Sequence, residues 1–147
     1  MQVVSIKRNA IIYGERLRSI DKNEVKKIAL SIKDNGLQNP IIVRPYREED
    51  PKDKTKWLPQ SFDGHERYVL VAGGHRLSGV ELLGWSEVDC IIKDPATPLI
   101  ARLLEIDENL YRHELNALDR ATFLAERKVI YEELYPETKA GVAGGQA

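Results

Sequence analysis

The stretch VAGGHRLSGVELLGW, Val71 to Trp85, places two glycines, a histidine and an arginine between two apolar segments. The valine-rich run Tyr68–Ala72 at its start predicts a strand. The apolar spacing after the glycines predicts a short helix over Leu77–Leu83 that ends at Gly84. A strand that turns into a helix at a glycine pair is therefore the local feature around which the fold is predicted.

This junction leaves Gly73, Gly74, His75 and Arg76 at the N-terminus of the predicted helix. Backbone N–H groups and the positive end of the helix dipole favour an anion there. Glycine allows a phosphate to approach the backbone, and a guanidinium can hold two of its oxygens. The alternative is a joint whose glycines only satisfy a dihedral requirement, and these four residues alone slightly favour it.

Composition restricts the classes of protein that fit. The chain has 147 residues, enough for one domain with a substantial core, and no apolar stretch approaches the length that spans a bilayer. Because Cys90 is the single cysteine, an internal disulfide and a cysteine-cluster metal site are excluded, and we expect a cytoplasmic protein. The net charge of −1 lacks the basic surplus of a dedicated duplex-DNA binder, so any nucleic-acid contact needs a local patch or another part of the protein.

The remaining elements follow from periodicity and turn signals. The segment Ile20–Leu37 predicts a helix that Asp21 caps and that Asn35–Gly36 ends. Pro45–Glu66 carries charges of both signs and predicts an exposed excursion with an irregular hairpin around Trp57 and Leu58. Further strands are predicted at Val3, Val4 and Ile6, over Asn39–Pro45 and over Glu87–Ile92, and further helices over Leu99–Asn109 and from Asn116 to Leu134.

These elements predict an α+β fold, in which a small mixed sheet with short helices is followed by a C-terminal helical pair. We expect an α+β core over residues 1–96 and a helical extension over residues 97–135. The Gly-rich residues 136–147 are expected to form a disordered linker to a C-terminal domain that this sequence does not contain.

A second polar cluster lies in IDENLYRHELNALDRA, Ile106 to Ala121. Glu108, Asn109 and Arg112 fall within one helical turn, and this combination suits a site that positions phosphate and a hydrated metal together. The alternative is a solvated helix end with a Glu108–Arg112 pair at i, i+4. That alternative explains the charges but gives no reason for Asn109.

Three segments in order resemble the N-terminal domain of ParB-type partition proteins, in the ParB/sulfiredoxin superfamily. They are NGLQNPIIVRP (Asn35 to Pro45), YVLVAGGHRLSGVELLGW (Tyr68 to Trp85) and ENLYRHELNALDRA (Glu108 to Ala121). The third is nearly the family's Glu-Asn-Leu-Gln-Arg block, and the ordered set is more specific than any single motif.

The resemblance implies a nucleotide-binding switch domain of a DNA-partition or plasmid or phage regulator, with CTP and Mg²⁺ as ligands. It implies that the two polar segments fold into one triphosphate pocket, that the protein closes as a homodimer on ligand binding, and that DNA is bound chiefly through the full-length protein. It further implies slow CTP hydrolysis, with Glu108 as metal ligand and catalytic residue. The nucleotide-binding residues that it implies are Gly73, Gly74, His75, Arg76, Asn109 and Arg112, with Gly36, Gln38 and Pro40 beside the base.

The sequence departs from the family pattern at Gly74–His75, where the family has Glu-Arg. The junction is closer to the Gly-Gly-Cys-His-Arg of sulfiredoxin, but its cysteine is missing, and Cys90 is expected to be an inert core thiol. Two other classes of function stay open. One is an enzyme of the same fold, a phosphotransferase, ATPase or nuclease, and the other is a DNA-binding module that uses the helix lysines Lys22, Lys26, Lys27 and Lys33.

Overall fold

The computed structural model describes residues 2–14, 20–59, 66–110 and 117–138. It divides into two compact units, one of Met1–Arg47 with Gln60–Asp94 and the other of Glu48–Pro59 with Pro95–Ala147. Two predicted residues, Arg112 and the cap residue Asn116, lie outside the described residues, as does the predicted linker beyond a short 3₁₀ turn at Pro136–Thr138. Among the described residues, no helix is long and apolar enough to span a membrane.

Strands and helices follow one another in a mixed order. In the first unit they are β1 (Val3–Lys7), β2 (Ile11–Ile12), α1 (Lys22–Asn35), β3 (Ile41–Pro45), β6 (Tyr68–Ala72), α2 (Gly74–Leu82) and β7 (Glu87–Ile92). In the second unit they are β4 (Glu49–Asp50), β5 (Asp53–Trp57), α3 (Pro98–Leu110) and α4 (Ala117–Leu134). The predicted α+β class, with a mixed sheet and a helical pair, is confirmed.

The sheet of the first unit has the strand order β1-β7-β3-β6-β2. The β1–β7 and β3–β6 pairs are antiparallel, whereas β3–β7 and β2–β6 are parallel. The central strand β3 is the predicted buried strand, because Ile41 and Val43 have no exposed surface. They pack in one core cluster with Leu70 of β6, Leu77 of α2 and Ile32 of α1.

Helix α1 begins and ends where the sequence predicts. The Asp21 carboxylate accepts hydrogen bonds from the backbone N–H groups of Asn23 and Glu24, which satisfies two donors of the first turn. Gly36 follows the last helical residue with φ 75° and ψ 173°, a positive-φ conformation that glycine adopts without a steric penalty.

Helix α2 begins at Gly74, three residues before the predicted start. Leu77 N–H bonds to Gly73 O at 2.8 Å, so the first turn already contains Gly74, His75 and Arg76. Glycines carry no side-chain periodicity, and for this reason the pattern placed the start too late. Trp85, which follows Gly84, is 38% exposed.

The second unit contains a two-stranded hairpin, but not where it was predicted. β4 and β5 pair with Asp50 opposite Asp53, so the chain turns at Pro51–Lys52, and Trp57 lies at the end of β5. The turn forms there because the Asp50 carboxylate accepts from the Lys52 N–H at 2.9 Å, an interaction that stabilises turns. Trp57 instead donates from Nε1 to Pro95 O at 3.2 Å and anchors the strand.

Candidate functional site

The β6–α2 junction is built around the first turn of α2, in which Gly73 is buried and Gly74, His75 and Arg76 are half-buried. Gly73 is the N-cap residue of α2, with φ 111° and ψ 30°, and it has no side chain that could accept a hydrogen bond from the first turn. The N–H groups at the start of a helix have no partner within the helix, and the helix dipole is positive there. The observed backbone therefore has the geometry in which an anion is favoured.

Gly73 is required by both conformation and space. A Cβ added there would lie 2.7 Å from Ile41 Cγ2 and 3.1 Å from Arg76 Nη2, in addition to the strain of a positive φ. At Gly74 the nearest atom to an added Cβ is the terminal Ile20 Cδ1, at 2.9 Å. The two glycines therefore differ, because only the first is enclosed by a β-branched core side chain.

Arg76 connects the junction to the segment before β3. Its Nη1 donates to the carbonyl oxygens of Asn39 and Pro40, both at 2.8 Å. These charge-assisted bonds hold the guanidinium beside Gly73 and bring the first and second sequence blocks together. Of the residues predicted beside the base, Pro40 thus lies at the junction, while Gly36 caps α1 and Gln38 is exposed in the link between α1 and β3.

His75 faces the start of α1. Its Nε2 accepts a hydrogen bond from the backbone N–H of Asp21 at 3.1 Å. An imidazole nitrogen that accepts cannot carry a proton, so this contact places the proton of neutral His75 on Nδ1. The half-buried imidazole thus links the N-terminal turns of α1 and α2.

The last turn of α3 places the third-block residues in the second unit. Asn109 is 6% exposed, and its Nδ2 donates to Glu105 O at 2.6 Å. A buried amide group requires a hydrogen-bond partner, and the Glu105 carbonyl provides one. The contact with Glu105 therefore explains how an asparagine is accommodated at this buried position. Glu108 is half-buried next to it, and the preceding Asp107 binds Arg127 of α4, with Nε 2.6 Å from Oδ1.

The burial of Cys90, the placement of possible metal ligands and the exposure of the α1 lysines bear on which chemistry the chain can support. Cys90 is fully buried in β7, as predicted for a core thiol, and burial raises the pKa of its thiol to about 12. Within the described ranges, no three His, Cys, Asp or Glu side chains are grouped as a protein-only metal site would need. The lysines of α1 are all exposed along the helix.

Sequence reasoning missed the hydrogen bond of His75 with Asp21 and two further contacts of the first unit. One is the bond of Arg76 to Asn39 and Pro40, whose acceptors are main-chain carbonyls that carry no residue signature. The other is the hydrogen bond between Tyr13 Oη and Ser78 Oγ, 2.8 Å long, which joins the end of β2 to α2. Ser78 lies one turn after His75, so the i, i+3 spacing indicates that these two residues share a face of α2. The sequence gives no comparable signal for the partner Tyr13.

The family model and the related sequences point to the same protein family. The family model described as the ParB N-terminal domain matches residues 1–110, a range that includes Glu108 and Asn109. A probable chromosome-partitioning protein ParB of Coxiella burnetii is 31% identical over 121 residues, or 80% of this chain. A nucleoid occlusion protein of Bacillus cereus is 32% identical over 126 residues, or 84% of this chain. The matched part is 35% of the length of each of these two relatives.

Among solved structures, the C-terminally truncated ParB of Caulobacter crescentus in complex with CTP-γ-S aligns with a TM-score of 0.58. The alignment covers 91% of this chain and 65% of that protein, at 22% sequence identity. At this identity the likeness concerns the fold.

Proposed function

The chain belongs to the ParB N-terminal domain family, and we propose that it is a nucleotide-binding switch domain of a DNA-partition or related DNA-binding regulator. The main supporting observation is the N-terminus of α2, where Gly73 places no side chain over the first turn and Arg76 supplies a fixed positive charge. A phosphate group is the ligand whose charge and size match such a helix end.

Arg76 has two roles in this proposal. Because Nη1 is bonded to Asn39 O and Pro40 O, the guanidinium is held in place before a ligand arrives. A cation that is already oriented stabilises an anion without the loss of side-chain freedom that a mobile lysine would undergo. Gly73 and Gly74 are assigned to the phosphate, and Gly36, Gln38 and Pro40 to the base.

The last turn of α3 supplies the residues assigned to the metal and to further phosphate contact. Mg²⁺ that accompanies a nucleoside triphosphate is held by one or two carboxylates together with phosphate oxygens and water. Glu108 is half-buried and would supply one such carboxylate. When bound, Mg²⁺ would neutralise phosphate charge, Glu108 would hold it, and Asn109 and Arg112 are assigned to phosphate.

CTP is favoured among the nucleotides because the solved Caulobacter ParB carries CTP-γ-S. Chromosome partitioning and nucleoid occlusion are the roles named for the two relatives, and we propose DNA as the partner of the full-length protein on that basis. The net charge of −1 makes tight DNA binding by this chain alone unfavourable. We also propose that ligand binding promotes a homodimer.

Isothermal titration with CTP, ATP and GTP, each with and without Mg²⁺, tests the proposal. We expect saturable binding of one nucleotide in preference to the others, and weaker Mg²⁺-dependent binding in Glu108→Gln. Glu133→Gln, an exposed carboxylate on α4, is the matched control and should bind as the unchanged chain does. Absence of binding by all three nucleotides would contradict the proposal.

The same samples with labelled nucleotide separate a switch from an enzyme. Intact nucleotide, or phosphate release that is slow relative to binding, fits a switch with weak hydrolysis. Rapid phosphate release or transfer to a small hydroxyl compound would instead support the phosphotransferase or ATPase alternative, and DNA cleavage the nuclease.

A further inference from the structure

We infer that His75 is a positioning residue that couples the proposed nucleotide site to the start of α1. The inference rests on the proposed function. Its direct observation is the hydrogen bond from the Asp21 N–H to His75 Nε2 at 3.1 Å. Because Nε2 accepts this hydrogen bond, it cannot at the same time donate to a phosphate oxygen.

Asp21 is the residue through which this coupling acts. While its N–H is bonded to His75, its carboxylate caps α1 through the Asn23 N–H at 2.9 Å and the Glu24 N–H at 3.4 Å. One residue therefore fixes the first turn of α1 and is itself held by the first turn of α2. A displacement of either turn changes the geometry of the other.

The neighbouring residue Ile20 extends the same contact. Its Cδ1 lies 2.9 Å from the position that a Cβ on Gly74 would take, so the Ile20 side chain lies over the glycine that follows the N-cap. The start of α1 and the donors at the start of α2 are therefore adjacent. A phosphate that binds at α2 meets a backbone whose position depends on the His75–Asp21 bond.

A second bond on the same face of α2 strengthens this arrangement. Ser78, one turn after His75, is 2.8 Å from Tyr13 Oη, and Tyr13 lies 3.4 Å from Glu81 Oε2. Residues 13 and 21 are thus both tied to α2 at positions three residues apart. Since neighbours at i, i+3 share a helix face, Tyr13 and Asp21 contact the same face of α2.

His75→Gln and His75→Leu test the inference, because the glutamine amide oxygen can occupy the place of Nε2 and accept from Asp21, whereas leucine cannot. We expect His75→Leu to weaken nucleotide binding by roughly threefold to tenfold, which corresponds to the loss of one ordinary hydrogen bond. His75→Gln should bind within about twofold of the unchanged chain. Amide hydrogen exchange at Asp21 should be slow in the unchanged chain and in His75→Gln, and fast in His75→Leu.

The remaining outcomes overturn the inference in distinguishable ways. Equal loss of affinity in both variants would mean that the imidazole contacts the ligand, and unchanged affinity in both would mean that the contact has no role in binding. If His75→Leu does not fold, a nitrogen-15 spectrum of the unchanged chain decides, since a proton on Nε2 would exclude the bond to Asp21. If the unchanged chain binds no nucleotide, both the proposed function and the coupling of His75 to nucleotide binding are wrong. Hydrogen exchange at the Asp21 amide would still show, independently of any nucleotide, whether the His75–Asp21 hydrogen bond forms.

Discussion

Arg127 of α4 binds Asp107 of α3 with Nε 2.6 Å from Oδ1, and its guanidinium lies 5.4 Å from the ring centroid of Tyr131 on the following turn. The ion pair joins α3 to α4 beside their shared apolar cluster of Leu99, Ile106 and Ile130. Asp107 immediately precedes Glu108, so this pair also holds the turn that carries the proposed metal ligand.

Replacement of Arg127 by Met should lower the free energy of unfolding by about 0.5–1 kcal/mol, because both partners are more than one third exposed and solvent weakens the pair. Denaturant unfolding followed by circular dichroism measures this change. Lys128→Met removes the same charge from an exposed neighbour on α4 and should change stability less. Equal effects of the two variants would show that the ion pair contributes nothing beyond net charge.

Gly73→Ala and Gly74→Ala should differ in their effect on the free energy of unfolding. At Gly73 an alanine meets Ile41 at 2.7 Å and must adopt φ 111°, so we expect a loss of about 2–4 kcal/mol. At Gly74 the nearest atoms to an added Cβ are the side-chain terminus Ile20 Cδ1 at 2.9 Å and Leu70 Cδ2 at 3.8 Å. Because alanine also favours the helix, the expected change is within about 1 kcal/mol.

Thermal unfolding of both variants tests this difference. The opposite order of stability would contradict the assignment of Gly73 as the N-cap residue with a left-handed backbone. Gly84→Ala provides a third point, since Gly84 has φ 74° but no atom near an added Cβ, and it isolates the conformational cost.

Cys90 should make stability depend on pH in the alkaline range. Its pKa is raised from 9.0 to about 12 in the folded chain because the thiol is buried. Above pH 9 the unfolded chain loses this proton while the folded chain keeps it, so the unfolded state binds fewer protons and stability falls. The expected slope is about 1.4 kcal/mol per pH unit, until the folded thiol itself ionises near pH 12.

Urea unfolding of the unchanged chain and of Cys90→Ala at several pH values measures this contribution. The alanine variant should be less stable at neutral pH because of the lost packing, but its alkaline slope should be shallower by the amount due to Cys90. Identical slopes in the two proteins would show that the thiol is not shielded. In the folded state Cys90 should also fail to react with a thiol reagent until the chain unfolds.

The sequence predicted those parts of the fold whose signals are local. Helix α1 begins after Asp21 and ends before Gly36, as predicted, because capping depends on the identity of the capping residues. Strand β3 is buried, as its continuous apolar run predicts. The start of α2 and the position of the hairpin turn were misplaced. Gly74 adds no periodicity, and the pairing of Asp50 with Asp53 depends on a register that side-chain pattern does not fix.

The sequence predicted which residues belong to the candidate site, but not which atoms they contact. The ordered blocks identified the family, and the resemblance is confirmed by the match over residues 1–110. The bonds of Arg76 to two backbone carbonyls and of His75 to a backbone N–H could not be predicted, because main-chain partners look the same at every position. The assignment of individual residues to nucleotide and metal stays a prediction.

Arg76 gives the sharpest test of that assignment, since it combines a structural and a proposed binding role. Arg76→Ala loses two hydrogen bonds from a charged donor, and we expect a decrease of about 2–3 kcal/mol in the free energy of unfolding. Nucleotide affinity should fall at least tenfold, because the charge at the start of α2 is lost as well. Arg76→Lys keeps the charge but not the planar fork, so intermediate values are expected for both quantities.

Titration and thermal melting on the same preparations separate the two roles of Arg76. Lys33→Ala removes one positive charge from the exposed last turn of α1 and should leave nucleotide affinity unchanged. If Arg76→Ala is destabilised but still folded at the titration temperature and binds nucleotide as the unchanged chain does, Arg76 serves only to hold Asn39 and Pro40. The phosphate would then have to be bound without this guanidinium, and its assignment to Arg76 would be wrong.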